Sequence, residues 1–205
     1  MRNISSLLTA VVVLIFATSM GLAQSAAIKF DPPAGWVSKT PTSTMRVAEF
    51  TLPKTGSDTE DATVTVYFFG GTGGNVQANM DRWIGQMAQP DGKSSKDVAK
   101  TTMLTSTSGL KISVLDVSGT YVAEVTPGST EKHNKPGFRQ CAAYIETAGG
   151  PYFVKLVGPA ATVAKWYDSY VAYLKSAKTS TLVRKCARGP EGQCASMRGA
   201  SARNR

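Results

Sequence analysis

Alternation decides most of what this chain can become. In residues 61–69, "DATVTVYFF", Ala62, Val64, Val66 and Phe68 take every second place, and β-branched and aromatic residues fill most of the rest. A period of two sends successive side chains to opposite faces, so the segment is expected as a strand. Residues 43–53, "STMRVAEFTLP", set Met45, Val47, Phe50 and Leu52 among polar residues with one slip of phase. They end at Pro53 and the turn-like "KTGSD". These two segments read as an antiparallel pair. "KTTMLTSTS" and "LKISVLDVSGTYVAE" flank Gly109, and "QCAAYIET" and "PYFVKLVG" flank Gly149 and Gly150, which reads as two further hairpins. Six strands with glycine-marked turns predict one largely antiparallel sheet.

Two stretches can cover it. From Asn75 onward, Val76, Met80, Trp83, Ile84 and Met87 fall at i, i+4, i+7, i+8 and i+11, one arc of a helix that Pro90 and the Asp91-Gly92 turn bring to an end. Behind Gly158-Pro159, Val163, Trp166, Tyr167, Tyr170, Val171 and Leu174 repeat helical spacing. Burying such a side chain is worth roughly 1.5–3 kcal/mol, so each stripe is enough to dock its helix. The order of elements predicts an α+β domain with a helix on each face of the sheet.

The ends differ from the middle. Arg2 followed by the apolar residues 7–22 and by Gly21-Leu22-Ala23 reads as an export signal, residues 1–23, cleaved after Ala23. The alternative is an uncleaved anchor, for which the apolar run is short against the ~20 residues a spanning helix needs. No cysteine lies near the cleavage site to carry a lipid. The mature chain is therefore expected in the periplasm or outside the cell, with no membrane span after cleavage. Residues 178–205 hold seven basic residues and one acid among Gly, Ser and Ala. They carry most of the formal charge of +9 and are expected as a disordered basic tail. The domain itself is only slightly basic, so no nucleic acid is expected as a partner; an anionic envelope surface suits the tail better. Cys186 and Cys194, with seven residues between them, can close a small ring in an oxidising compartment.

The order of these pieces carries a resemblance. Gly35-Trp36, "MRVAEFTLP", "FFGGTGGNVQANMDRWIGQM", "GPYFVKLVGP" and a last helix bearing tyrosine and tryptophan resemble the PsbP-like α-β-α sandwich. That superfamily includes the extrinsic PsbP protein of photosystem II and the Ran-binding Mog protein of nuclear import. The chain more closely resembles uncharacterised exported bacterial proteins of that shape. The resemblance spans residues 28–177 and implies the fold. It implies no functional residue, because the named members do unrelated things, and export excludes a Ran-type partner.

The corner "GGTGG" at residues 70–74 raises the question of a phosphate cradle. The dinucleotide fingerprint would put its third glycine at Val76, and the phosphate loop would need a Lys that is absent before Arg82. Two readings remain. Gly71, Gly73 and Gly74 permit a tight exit from the sheet, or they leave the N–H groups of the helix start open to an anion. Asn75, Asn79, Arg82 and Gln86 recur at i, i+4, i+7 and i+11, a ladder of amides and a guanidinium. It either reads a ligand or bonds the neighbouring strands.

Other constellations are weaker. Asp58, Glu60 and Asp61 lack the spacing of a calcium loop and read as a solvated hairpin tip. Residues 126–140 read as a long polar loop holding His133, Lys135 and Arg139. Cys141 reads as a small core residue, with a nucleophile as the alternative. With a single histidine, His-based hydrolysis or zinc catalysis is not expected. The expectation is a non-enzymatic exported binding or accessory domain, without cofactor or metal, for an unknown protein or small anionic ligand. A tail-held envelope protein and a hydrolase-type enzyme are the alternatives.

Overall fold

The computed structural model describes residues 27–71 and 73–179. The export signal, the Cys186–Cys194 ring and all but the first two residues of the basic tail lie outside them. The chain runs β1 (Ile28–Lys29), β2 (Val37–Lys39), β3 (Arg46–Leu52), β4 (Ala62–Phe68), α1 (Val76–Ile84) and β5 (Met87–Ala88). After a single 3-10 turn, Ser95–Asp97, come β6 (Lys100–Thr105), β7 (Lys111–Tyr121), β8 (Lys135–Ile145), β9 (Tyr152–Pro159), α2 (Ala160–Lys175) and β10 (Lys178–Thr179).

The three expected strand pairs are present as β3–β4, β6–β7 and β8–β9, all antiparallel. The main sheet has eight strands rather than the six expected, in the order β2-β3-β4-β9-β8-β7-β5, with β6 also on β7. The long strand β7 makes room for both: β6 pairs along Lys111–Asp116 and β5 along Thr120–Tyr121. The added strands β2 and β5 have three and two residues, too few for a period of two to stand out. A separate two-stranded ribbon joins β1 to β10, so pairing extends two residues past the expected domain edge at 177.

Each face of the sheet has its own helix. Consecutive residues split between two apolar clusters: Val114, Ala143 and Val154 pack under α2, while Leu115, Ala142 and Phe153 pack under α1. From α2, Val163, Tyr170, Tyr173 and Leu174 are wholly buried, and the Tyr170 hydroxyl donates to the carbonyls of Val154 (2.9 Å) and Cys141 (3.2 Å). From α1, Met80 and Trp83 are buried.

Helix α1 is shorter than the apolar spacing predicts. It ends at Ile84 with Gly85 as its cap, and Met87, expected on the helical stripe, lies in β5. The edge of β7 takes over the backbone there, since Val122 N–H donates to Gln86 O at 2.9 Å. Met87 is buried in the same cluster either way, so its position in the sequence could not separate the two conformations. Gln140, buried in β8, donates to Trp83 O at 3.0 Å near the helix end.

The acidic turn is bonded as well as solvated: Asp61 is exposed, and Asp58 and Glu60 are half-buried. Pro159 offers α2 no side-chain cap, and Asp58 supplies one from across the sheet, accepting from Thr162 N–H at 2.9 Å and from the Thr162 hydroxyl. Asp61 accepts from Lys54 N–H at 2.9 Å, and Glu60 pairs with Lys135 at 2.7 Å. The expected loop 126–140 is also cut short, because β8 begins at Lys135. Among the described residues no helix is long and apolar enough to cross a membrane.

Asp58→Ala should cost about 1 kcal/mol, the usual worth of a helix N-cap. In urea denaturation the midpoint should fall at an unchanged m-value.

Candidate functional site

The glycine corner is built for close passage. Gly70, Gly71 and Gly74 have φ of 65°, 89° and 72°, which side-chain-bearing residues rarely adopt. The corner crosses the turn between β8 and β9: a Cβ on Gly150 would collide with the backbone of Gly71, and one on Gly73 would stand 2.7 Å from the Phe153 ring. Two of its carbonyls are already bonded. Gly74 O accepts from the Tyr144 hydroxyl at 3.1 Å and Gly73 O from the Asn79 amide at 2.7 Å.

The ladder beyond the corner is bonded largely to itself. The Asn75 side chain caps α1 by accepting from Ala78 N–H at 2.8 Å. Asn79, only 3% exposed, donates to Gly73 O and Asn75 O and accepts from the Arg82 guanidinium at 2.6 Å. The fourth member differs: Gln86, just past the helix, accepts through Oε1 from Lys155 Nζ at 2.7 Å. The ladder thus leads to a residue of β9 that its own spacing does not indicate.

Lys155 belongs to a cleft that the short helix leaves uncovered. Nine residues of α helix reach about 14 Å and cover one end of this sheet face. Beyond that end, Thr63, Thr65 and Tyr67 of β4 and Lys155 and Val157 of β9 line a cleft of about 310 Å³. Thr65 is the register partner of both Lys155 and Glu49, so Glu49 and Lys155 lie two strands apart, about 10 Å. Tyr121, Phe138, His133 and the Glu60–Lys135 pair complete the wall.

Its three cations each stand over a ring: Arg46 over Tyr67 at 5.8 Å, Lys135 over Phe138 at 5.7 Å, and Lys155 over Tyr121 at 5.7 Å. Arg46 is paired with Glu49 at 2.8 Å and Lys135 with Glu60. Lys155 has no carboxylate partner among the described residues; its acceptor is the neutral Gln86 amide. Burial first, and the Arg82 charge second, pull its ammonium from 10.5 down to about 7. Burial, aided by Tyr67, pushes the Tyr121 hydroxyl up to about 12. His133 is stacked on Tyr121, ring centroids 5.3 Å apart.

The sequence does carry one mark of this lysine. β9 is nearly all apolar because both of its faces are covered over most of its length, and Lys155 interrupts it where a charge is costly to bury.

The opposite face holds a groove of about 450 Å³ lined by Gln89, Lys100, Asp116 and Arg139. Its guanidinium is committed: Arg139 grips Asp116 at 2.8 and 2.6 Å and lies 4.7 Å from the Tyr167 ring. Cys141 is fully buried beside this pair, and burial together with the Asp116 charge pushes its thiol up, away from the thiolate a nucleophile needs. Among the described residues no group of His, Cys, Asp and Glu is placed to hold a metal.

No family model matches this chain, and no curated protein matches it. Two solved structures are similar in fold at a low level. The solution structure of cyanobacterial PsbP (CyanoP) from Synechocystis is 10% identical, with a TM-score of 0.41, over 80% of this chain and 98% of that one. A crystal structure of a protein of unknown function from Pseudomonas aeruginosa is 13% identical, with a TM-score of 0.40, over 62% of this chain and 78% of that one. At such scores neither carries a residue or an activity across.

Two predictions follow from this geometry. Gly56 has φ +57° with open space around a Cβ, whereas Gly150 has φ +111° and a blocked one. Gly56→Ala should therefore cost about 1 kcal/mol of backbone strain, and Gly150→Ala about 3 kcal/mol or more through overpacking, read as urea midpoints. Lys155 binds its proton more weakly folded than unfolded, so the unfolded chain takes up a proton between pH 7 and 10.5 that the folded one lacks. Stability relative to Lys155→Met should then rise with pH through that window and stay flat below it. Parallel pH profiles of the two proteins would contradict this.

Proposed function

We propose that this chain is an exported, non-enzymatic binding domain of PsbP-like type that holds a small carboxylate-bearing ligand at Lys155. The observation that carries the reading is the cleft's central cation: an ammonium beside open space, walled by rings, with no carboxylate of its own. Its two neighbours, Arg46 and Lys135, already have theirs. An incoming carboxylate supplies the missing countercharge where water competes poorly, and charge-assisted hydrogen bonds are the strong ones. Tyr67, Tyr121 and Phe138 offer flat walls for an apolar body attached to that carboxylate.

The ladder acts here through its far end. Gln86 orients the Lys155 amine, and the Arg82 charge adds to the positive field on the same side. The charged and titratable groups around Lys155 are thus Arg82 of α1, Tyr121 of β7, Tyr67 of β4, the Arg46–Glu49 pair beyond Thr65, and, farther along the cleft wall, His133, Asp61 and the Glu60–Lys135 pair. Non-enzymatic action agrees with the buried Cys141 and the stacked His133. The basic residues of the tail serve attachment to an anionic envelope surface.

The test is titration with benzoate, followed by NMR shifts of the cleft residues. Benzoate should bind, and its affinity should fall about tenfold per pH unit above pH 7 as the amine loses its proton. Lys155→Met should remove the binding, and Arg82→Ala should weaken it, with some loss of melting temperature because the buried Asn79 loses its partner. Benzoate binding equally to Lys155→Met would end the proposal.

A further inference from the structure

The other described lysines with a polar side-chain partner are largely spoken for by anions. Lys135 grips Glu60 through both oxygens at 2.7 and 2.8 Å, and Lys93, Lys96 and Lys178 pair with Asp91, Asp81 and Asp31. A carboxylate keeps an ammonium protonated, and an ammonium has no lone pair to attack with. Among the described lysines, Lys155 alone combines a neutral acceptor, an aromatic wall and an open cleft. We propose that the Lys155 amine captures small carbonyl compounds, aldehydes and 2-keto acids, as a reversible imine within the cleft. The 2-keto acid case rests on the carboxylate reading above; the aldehyde case does not.

The surroundings fit each part of that chemistry. Gln86 Oε1 takes one N–H of the amine at 2.7 Å and so fixes the direction of the nitrogen. Gln86 is itself held, its N–H donating to Trp83 O at 3.1 Å and its carbonyl accepting from Val122 N–H at 2.9 Å. The guanidinium of Arg82 bonds to Asn79 and is not among the residues that line the cleft; it acts on the amine through its charge. That charge disfavours the ammonium, and with desolvation this leaves a good share of the amine neutral at physiological pH. Tyr121 screens one side from water, which favours the imine over its hydrolysis.

The step balances without a further reagent. The nitrogen lone pair forms a C–N bond to the carbonyl carbon as the C=O π pair moves to oxygen. A proton passes from nitrogen to that oxygen, giving the carbinolamine. The hydroxyl then leaves with the second amine hydrogen as water, and C=N closes. No group is oxidised or reduced.

The experiment traps the imine on the full chain. Glyoxylate, pyruvate or propionaldehyde is added at pH 7.5 with cyanoborohydride, and the reduced adduct is located by peptide mass mapping. One adduct should form on Lys155, about tenfold faster than on any surface lysine, as expected for a desolvated amine. Lys155→Arg should abolish it, and Arg82→Gln should slow it severalfold while a melting curve reports the fold intact. Adducts spread evenly over the lysines, or unchanged labelling in Arg82→Gln together with labelling in Lys155→Arg elsewhere at the same rate, would overturn the inference. Benzoate binding without trapping sinks the imine and leaves the carboxylate site standing. Trapping of propionaldehyde at Lys155 without benzoate binding does the reverse.

Discussion

Unequal cover of one sheet is the constraint on which the rest of this structure depends. The central strands β4, β9, β8 and β7 have apolar side chains on both faces, so each face must be shielded from water. On one face the sixteen residues of α2 do this, with Tyr170 bonded to two strand carbonyls at the bottom of the contact. On the other, α1 has nine residues and the edge of β7 draws the chain away after Gly85. What α1 leaves open is neither core nor ordinary surface. Rings and ion pairs line it, and one lysine lies at its centre.

That arrangement explains why α1 carries a polar flank and yet does not itself line the cleft. Its polar flank is used to hold the glycine corner: Asn75 caps, Asn79 ties down two carbonyls, and Arg82 ties down Asn79. The corner in turn must pass within contact of the Gly149-Gly150 turn, which is why glycine stands on both sides of the crossing. The crossing of Gly71 and Gly150 helps fix where α1 starts. The start and the length together fix where it stops, and the stop places Gln86 against Lys155. Stabilising bonds at one end of the helix thus set the geometry of the cleft at the other.

Burying Lys155 with a neutral partner is a cost to folding, since the ammonium loses hydration and gains no countercharge. Arg46 and Lys135, in the same cleft, avoid that cost through Glu49 and Glu60. A structural requirement alone would favour a third carboxylate or an apolar residue at position 155. The local conflict between an apolar central strand and an amine without a countercharge is the kind that functional sites retain.

Much of the fold was legible in the residues. Alternation in "DATVTVYFF" and its partners fixed the long strands and their pairing, because a period of two admits only one way to bury a face. The short strands β2 and β5 were not legible, being too brief to show a period, and Met87 satisfied helix and strand alike. The capping bond of the acidic turn was not legible, because a cap acting across 104 residues leaves no local spacing to find. Of the candidate site, the ladder was legible as a row, but its meeting with Lys155 was not. Gln86 and Lys155 are 69 residues apart and join only because β9 lies between β4 and β8 and α1 ends above it. The sequence by itself determined the strands, the two amphipathic helices and the glycine corner, since these follow from local periodicity and backbone freedom. Only the tertiary structure decided which polar groups lost their water and which found a partner, because desolvation depends on what is packed overhead.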